Sequence, residues 1–370
     1  MSEPIRVLQM IGSLERGGSQ AMVLNLYKAI DRNRIQFDFV LDHPELNQLQ
    51  STVEKLGAKI YYMPAFKGTN LVEIINSWDH FFEIHSEYKI LHSHVRSYAS
   101  FYIPIAKKYG VKTIIHSHST SNGNGISALI KAMLQYPLRY EADYFFGCSK
   151  MAGEWLFGKK VVQSTRYFLL KNAVDTKKYK YNSKIRADYR KLLGVSENST
   201  VYVHVGRLHE AKNHMFLLDL FKELKQQRPE SVLVIVGDGK LRDTIEKKIT
   251  ELDIEQNVRL LGARDDVPEI FQASDCFLFP SKWEGLPVTV VEAQAAGLPC
   301  FVSDKVTKEV NLSELVVNLP IDKGTRLWVE EICKADYQRK NVSDKIKKAG
   351  FDIEDSAEWL MHFYEGIINE

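Results

Sequence analysis

Residues 276–299, CFLFPSKWEGLPVTVVEAQAAGLP, decide the fold. Cys276–Phe279 is a short apolar run, the pattern of a parallel strand buried on both faces. Pro280-Ser281 ends it, and Glu284-Gly285-Leu286 reads as a loop. Pro287 suits the first position of a helix, because its fixed φ is helical and its missing N–H is not needed there. Two carboxylates therefore flank a helix start: Glu284 in the loop, and Glu292 about one and a half turns into the helix. A helix N-terminus favours phosphate. Carboxylates on either side of a phosphate are repelled by it unless they face something else. Hydroxyls on both sides of a diphosphate would satisfy them, with Glu284 toward a sugar and Glu292 toward a ribose. The plain alternative is a pair of solvated acids, which helix starts also favour.

The same strand–loop–helix rhythm extends in both directions. Upstream, Ile5–Met10 is a first strand, followed by a glycine-rich loop (Ile11–Gly18, with Gly17 and Gly18) and a helix from Ser19 to Ala29. Strands follow at 37–41, 59–63, 89–92, 113–116, 144–147 and 167–170, with helices such as 71–86 and 97–109 between them. The character changes near Asn172–Asp175, where a Lys/Tyr-rich polar stretch begins and runs to Tyr189. A second set then has strands at 201–205, 232–236, 258–261, 276–279, 300–302 and 315–319. Its helices are expected at 213–227, 241–252, 267–273 and 287–296. Alternation of this kind implies a parallel sheet covered on both faces, here twice over, with ligands at the C-terminal strand ends. The first glycine loop is neither Gly-x-Gly-x-x-Gly nor a P-loop, so a bare βα turn would also explain it.

Composition bounds the rest. A length of 370 residues suits two domains; 45% hydrophobic and 26% charged residues are the balance of a globular protein. A net charge of +2 gives no polyanion-binding reading, so no nucleic-acid partner is expected. No apolar run of about 18 residues suggests a membrane span. The N-terminus lacks a signal-peptide layout, and the four cysteines are scattered, so a reducing, cytoplasmic compartment is expected.

Several polar residues fall at strand ends. His92-Ser93-His94 and His116-Ser117-His118 close two neighbouring strands, which favours a polar site there over lone structural histidines. Their spacing is not that of a usual zinc site, so no metal is expected. Ser119–Gly125 is a Ser/Asn/Gly-rich loop, expected to be mobile. The amphipathic stretch after it, Ile126–Tyr140, carries Lys131 and Arg139. It is expected to pack on the sheet, with a membrane-surface or acceptor-facing role as the alternative. After strand 201–205, Gly206 permits close backbone approach, and Arg207 and Lys212 offer a fork and a point charge suited to a diphosphate. Surface cations pairing with Glu210 would be the plain alternative.

Glu284 to Glu292 resembles the Glu-x7-Glu signature of retaining glycosyltransferases of the GT-B fold, most of all glycosyltransferase family 4. Phe279-Pro280-Ser281 and the run from Glu292 to Pro299 are similar too, as are Gly206-Arg207 with Lys212, Gly237-Asp238-Gly239 and Gly17-Gly18. The resemblance spans nearly the whole chain and looks most like bacterial exopolysaccharide and capsule transferases. It implies two Rossmann-like domains facing a cleft: residues 1–174 with a returning helix 356–370 for the acceptor, and 175–355 for the donor. It implies catalytic roles for Glu284, Arg207, Lys212 and His118. Donor contacts are implied at Gly17, Gly18, Gly206, Gly237, Arg264, Gly285, Leu286, Pro287, Val288 and Glu292. Arg207 and Lys212 would neutralise the leaving phosphate without a metal or other cofactor, and Glu284 would support the sugar rather than attack it. The partners implied are a nucleotide sugar, such as a UDP-sugar, and a glycan or lipid-linked acceptor, with peripheral contact at the inner membrane face. Two departures stand out: Ser19-Gln20 replaces the family's Ala-Glu, and Ala173 replaces a hinge glycine. Three other readings compete. A non-catalytic sugar-nucleotide-binding subunit would not hydrolyse donor. A GT-B-type UDP-sugar 2-epimerase would need no acceptor. A dinucleotide oxidoreductase, using Asp38 or Asp42 for the ribose, would bind NAD(P).

Overall fold

The computed structural model describes residues 3–369 other than 16, 122 and 124. Arg16 of the glycine-rich loop and Asn122 and Asn124 of the Ser/Asn/Gly-rich loop therefore lie outside the described residues, as do Met1, Ser2 and Glu370. The chain divides into two compact units: Met1–Ala173 with Ile353–Glu370, and Val174–Asp352.

The first unit carries seven parallel strands: β1 (Ile5–Gly12), β2 (Ile35–Leu41), β3 (Ile60–Tyr62), β4 (Ile90–Ser93), β5 (Lys112–Ser117), β6 (Tyr144–Gly147) and β7 (Tyr167–Leu169). Their order is β3-β2-β1-β4-β5-β6-β7. Alternate residues feed opposite faces, as a strand covered on both sides requires. Val7 and Ile11 join one apolar cluster, Leu8 and Met10 the other. The last helix, Ile353–Asn369, belongs to this unit. Its Ile353, Ala357, Leu360, Met361, Tyr364 and Ile367 are buried in the same cluster as Met22, Val23, Leu26 and Tyr27 of the first helix, Gly18–Ala29. Arg34 fixes its outer edge through Glu358 and Glu365, at 3.0 and 2.9 Å.

The second unit carries six parallel strands: β8 (Val201–Val205), β9 (Val232–Val236), β10 (Val258–Leu260), β11 (Cys276–Phe279), β12 (Cys300–Ser303) and β13 (Val316–Leu319), in the order β10-β9-β8-β11-β12-β13. Val201, Val203 and Val205 point into one cluster, Tyr202 into the other. Strand order reverses between β8 and β11, as it does between β1 and β4. Such switch points leave a crevice beyond the strand ends, where ligands bind. Both units are thus Rossmann-like, doubly wound parallel sheets.

Two stretches fold in ways their sequence pattern does not assign. The polar stretch 176–189 is largely helical: Asp175 caps Thr176–Tyr179 and Asn182 caps Ser183–Leu192, each side chain accepting backbone N–H bonds. The stretch 126–140 divides into Ile126–Gln135 and Leu138–Glu141, and the longer piece does not bury an apolar face; of its ten residues only Gln135 is buried. The two chain crossings lie side by side in the second unit, where Val174 bridges Asp352 and its N–H reaches Phe351 O at 2.8 Å.

Candidate functional site

In the second unit, the loops leaving β8 and β11 meet at the switch point. Gly206 follows β8 and donates to Val236 O at 2.9 Å. A Cβ on Gly206 would lie 2.9 Å from Lys212 Cε, so glycine here lets the lysine stem lie across the backbone. Gly237 is constrained more tightly: its φ is +139° and a Cβ would sit 2.0 Å from Gly206 O. The chain then makes a single 3-10 turn, Glu210–Lys212, and Asn213 takes a left-handed conformation. Its side-chain amide donates to Pro280 O at 3.1 Å, while Lys282 N donates to Ala211 O at 2.7 Å. These two bonds tie the loops together.

The result is an ion pair. Lys212 Nζ lies 2.7 Å from Glu284 Oε1, each side chain 16% exposed. The ammonium also sits 4.6 Å over the Phe279 ring. Glu210 is therefore not the partner of Lys212. Arg207 is exposed, and its guanidinium makes no bond among the described residues. Gly285 is open, with nothing near a Cβ position. The helix begins at Val288 rather than Pro287, whose ψ of 100° is extended and makes it the residue before the first turn. The first N–H groups of such a helix have no partner within it. Leu286 and Val288 pack against the β-sheet cluster.

Glu292 is half-buried within this helix and accepts a hydrogen bond from the Tyr179 hydroxyl. Burial pushes its carboxyl above the usual range, against the opposing pull of Tyr179 and Lys178. Arg264 lies in the loop after β10, and both arms of its guanidinium grip Asp266, at 2.8 and 2.5 Å. Two histidines beside Lys212 were not foreseen. His204 is fully buried on β8, bonded through Nδ1 to Leu278 O at 2.8 Å, and His214 begins the next helix. Burial, helped by Lys212, pushes His214 down to about 4 and His204 well below its usual value. Both are neutral near pH 7, so Lys212 and Arg207 supply the cationic charge at this point. The only sequence signal was a histidine inside the apolar run VYVHV.

In the first unit, Gly17 precedes the first helix in an extended conformation, and Gly18 opens it with nothing near a Cβ position. His118 leaves β5 and pairs through Nε2 with His94 Nδ1 at 2.8 Å; His94 Nε2 reaches Gln9 Oε1 at 2.9 Å. His92 and His116 pair at 3.3 Å, and His92 Nδ1 meets the Tyr364 hydroxyl at 2.6 Å. His92, His94 and His116 each bring a ring nitrogen within 4.8 Å of the others, a spacing that could hold an ion. Most of those nitrogens are already bonded to one another or to Gln9 and Tyr364, which makes the group a hydrogen-bonded stack. Burial pushes His92 and His118 down to about 3, with the other two also well below their usual value, so all four are neutral. A cavity of about 420 Å³ opens beside His118, lined also by Arg96, Ser119, Lys131 and Gln135. Asp38, weighed above as a ribose acid, is taken up by Arg6, Tyr88 and the Lys59 N–H.

The description "Glycosyltransferase Family 4" matches residues 16–178, and "Glycosyl transferases group 1" matches residues 185–313. EpsF of Bacillus subtilis (strain 168), a protein named as a glycosyltransferase, is 30% identical over 368 residues, covering 97% of this chain and 96% of EpsF. The chain belongs to glycosyltransferase family 4. The UDP-Gal:alpha-D-GlcNAc-diphosphoundecaprenol alpha-1,3-galactosyltransferase of Escherichia coli is 38% identical to this transferase over 146 residues, 39% of one chain and 38% of the other. The transferase also superposes on the crystal structure of Anabaena HepE in complex with UDP and glucose, with a TM-score of 0.77 and 17% identity, covering 98% and 99% of the two chains.

Proposed function

We propose that the chain moves a hexose or N-acetylhexosamine from a nucleoside diphosphate sugar, UDP-linked, to a glycan or lipid-linked acceptor during polysaccharide assembly, with retention at the anomeric carbon. The second unit holds the donor and the first unit the acceptor. One observation carries the reading: an uncommitted arginine and a lysine stand at the switch point of the second unit, with Glu284 held against the lysine. The UDP assignment draws support from relatives whose names or titles carry UDP.

In this reading the diphosphate lies at the start of helix Val288–Ala295, on the backbone of Gly285 to Val288, with Gly206 and Gly237 letting the neighbouring strand-end loops pack closely beside it. Glu292 accepts from the ribose hydroxyls, and the loop of Arg264 borders the base. The bond from the anomeric carbon to the diphosphate oxygen breaks as the acceptor oxygen closes on the same face. Its proton passes to the departing phosphate. Arg207 and Lys212 stabilise the charge that grows on that phosphate. Glu284, freed from Lys212, accepts from sugar hydroxyls. In the first unit, Gly18 leaves the first helix start open, Gly17 lies against the Gln20 side-chain oxygen, and His118 is assigned to the sugar.

Thermal shifts with UDP-, GDP- and ADP-sugars test this on the wild type and Arg207→Ala. At a ligand concentration about 100 times Kd, stabilisation is about 2.7 kcal/mol. Stabilisation by UDP-sugars alone, lost in the variant, is expected; no response to any nucleotide sugar from folded protein would refute the donor reading. The configuration of the product, read by NMR, tests retention.

A further inference from the structure

The helix Ile126–Gln135, ISALIKAMLQ, inverts the usual relation of composition to burial. Seven of its ten residues are apolar, yet its single buried residue is Gln135. Ile126 is 79% exposed, Leu129 64% and Met133 68%; Tyr136 and Tyr140 continue the row at 54% and 69%. Residues 126, 129, 133, 136 and 140 recur at the three- and four-residue steps of one helical stripe. Six of the 17 exposed large apolar side chains among the described residues fall between Ile126 and Tyr140, far more than scattered surface residues would supply. The segment is attached, not loose: Ser100 Oγ donates to Leu134 O at 2.8 Å, and Arg139 donates to Leu156 O at 3.0 Å.

Charge identifies what covers this face. From Ser119 to Tyr140 there is no acid, and Lys131 and Arg139 are the only charges. Arg139 lies beside Gly158, which brings the exposed Lys159 and Lys160 next to the same surface; neither they nor Lys131 has an acidic partner among the described residues. A second copy docked about a two-fold axis would set these cations against themselves. Anionic lipid complements both the apolar row and the cations, and tyrosines suit the water–lipid boundary. A ten-residue helix is about 15 Å long, half a bilayer's hydrocarbon core, so it would lie in the surface plane.

We propose that residues 126–140 dock the chain on an anionic lipid bilayer, with Ile126, Leu129, Met133, Tyr136 and Tyr140 among the acyl chain tops, Lys159 and Lys160 at lipid phosphates, and Lys131 on the opposite face of the helix. Lys131 lines the cavity that also holds Arg96 and His118. Docking there would present the diphosphate of a lipid-linked acceptor to Arg96 and Lys131. This last step rests on the lipid-linked-acceptor reading; the docking does not.

The full chain is sedimented with vesicles of phosphatidylcholine alone and of phosphatidylcholine with phosphatidylglycerol. Binding to the second is expected, weakened at high salt. Leu129→Ser and Met133→Ser should each reduce it about tenfold, the loss of one apolar side chain from lipid. Both residues are exposed, so the urea midpoint and UDP-sugar hydrolysis should stay at wild-type values. Absence of vesicle binding by the wild type would overturn the proposal. So would equal binding by the double variant, or a wild-type dimer that the double variant abolishes. Vesicle binding without any thermal shift by a UDP-sugar would leave the docking face standing and remove the UDP-donor reading instead.

Discussion

Glu284→Gln should weaken the fold, tighten UDP binding and slow transfer, all at once. Lys212 Nζ and Glu284 Oε1 are 2.7 Å apart and mostly shielded from water. At an effective dielectric of about 20 their attraction is about 6 kcal/mol, much of it offset by desolvation. A glutamine keeps a neutral oxygen in place, so the net loss is what remains of that attraction after desolvation, about 1 kcal/mol. Lys212, however, is then free of a competing anion, and an arriving diphosphate no longer has to displace or share it. UDP should bind roughly tenfold more tightly, about 1.4 kcal/mol. Transfer should fall about 100-fold or more, because the proposed support of the reacting sugar by the Glu284 charge is lost. Lys212→Met should lose the same order of stability but weaken UDP binding. Urea unfolding and titration calorimetry with UDP read the two quantities separately. Weaker or unchanged UDP binding by Glu284→Gln would refute the idea that the pair holds Lys212 in reserve for phosphate.

Other expectations follow from the same geometry. Gly237→Ala should destabilise by about 2–3 kcal/mol or more, since the new Cβ would meet Gly206 O at 2.0 Å in a backbone conformation of φ +139°; a lowered urea midpoint checks it. Glu292 has a raised pKa, so its burial favours the protonated form. The stability this gives is full at acid pH and lost as pH rises through the raised pKa, while ribose recognition by the carboxylate should follow the opposite course. UDP affinity measured by calorimetry should therefore fall below that pKa, and Glu292→Gln should flatten the profile. Arg190→Met should cost about 3–5 kcal/mol, because the guanidinium is fully buried and its loss leaves Asp275 and the carbonyls of Ala273, Ser196 and Ser199 without it. Thermal unfolding would show this directly.

The strands were legible because apolar runs bounded by glycine, proline or charge leave little freedom: 201–205, 232–236 and 276–279 begin and end where the sequence pattern puts them. The glycine–arginine–lysine loop and the Glu284 loop were legible for the same reason, as strand ends. What escaped depended on partners far away in sequence. The helix Ser183–Leu192 looks merely polar until Arg190 meets Asp275, 85 residues on. The stretch after Gly125 has the amphipathic look of a sheet-packing helix, and no local signal tells that its apolar face is turned outward. His204 and His214 became relevant only once folding set them beside Lys212. Which residue holds Lys212 was equally hidden: Glu210 is two positions away, yet the loop-to-loop bonds from Asn213 and Lys282 deliver Glu284 instead.

The side-by-side crossings at Val174 and Asp352 make the second unit an insertion into the first. During synthesis the first sheet emerges early but lacks its covering helix, so the face holding Met22, Val23, Leu26 and Tyr27 stays uncovered until residues 353–369 leave the ribosome. The inserted unit, complete by residue 352, can fold while the first still waits. A stop codon after Asp352 would thus damage the half of the molecule that was made first, leaving a soundly folded second unit attached to an aggregation-prone first one.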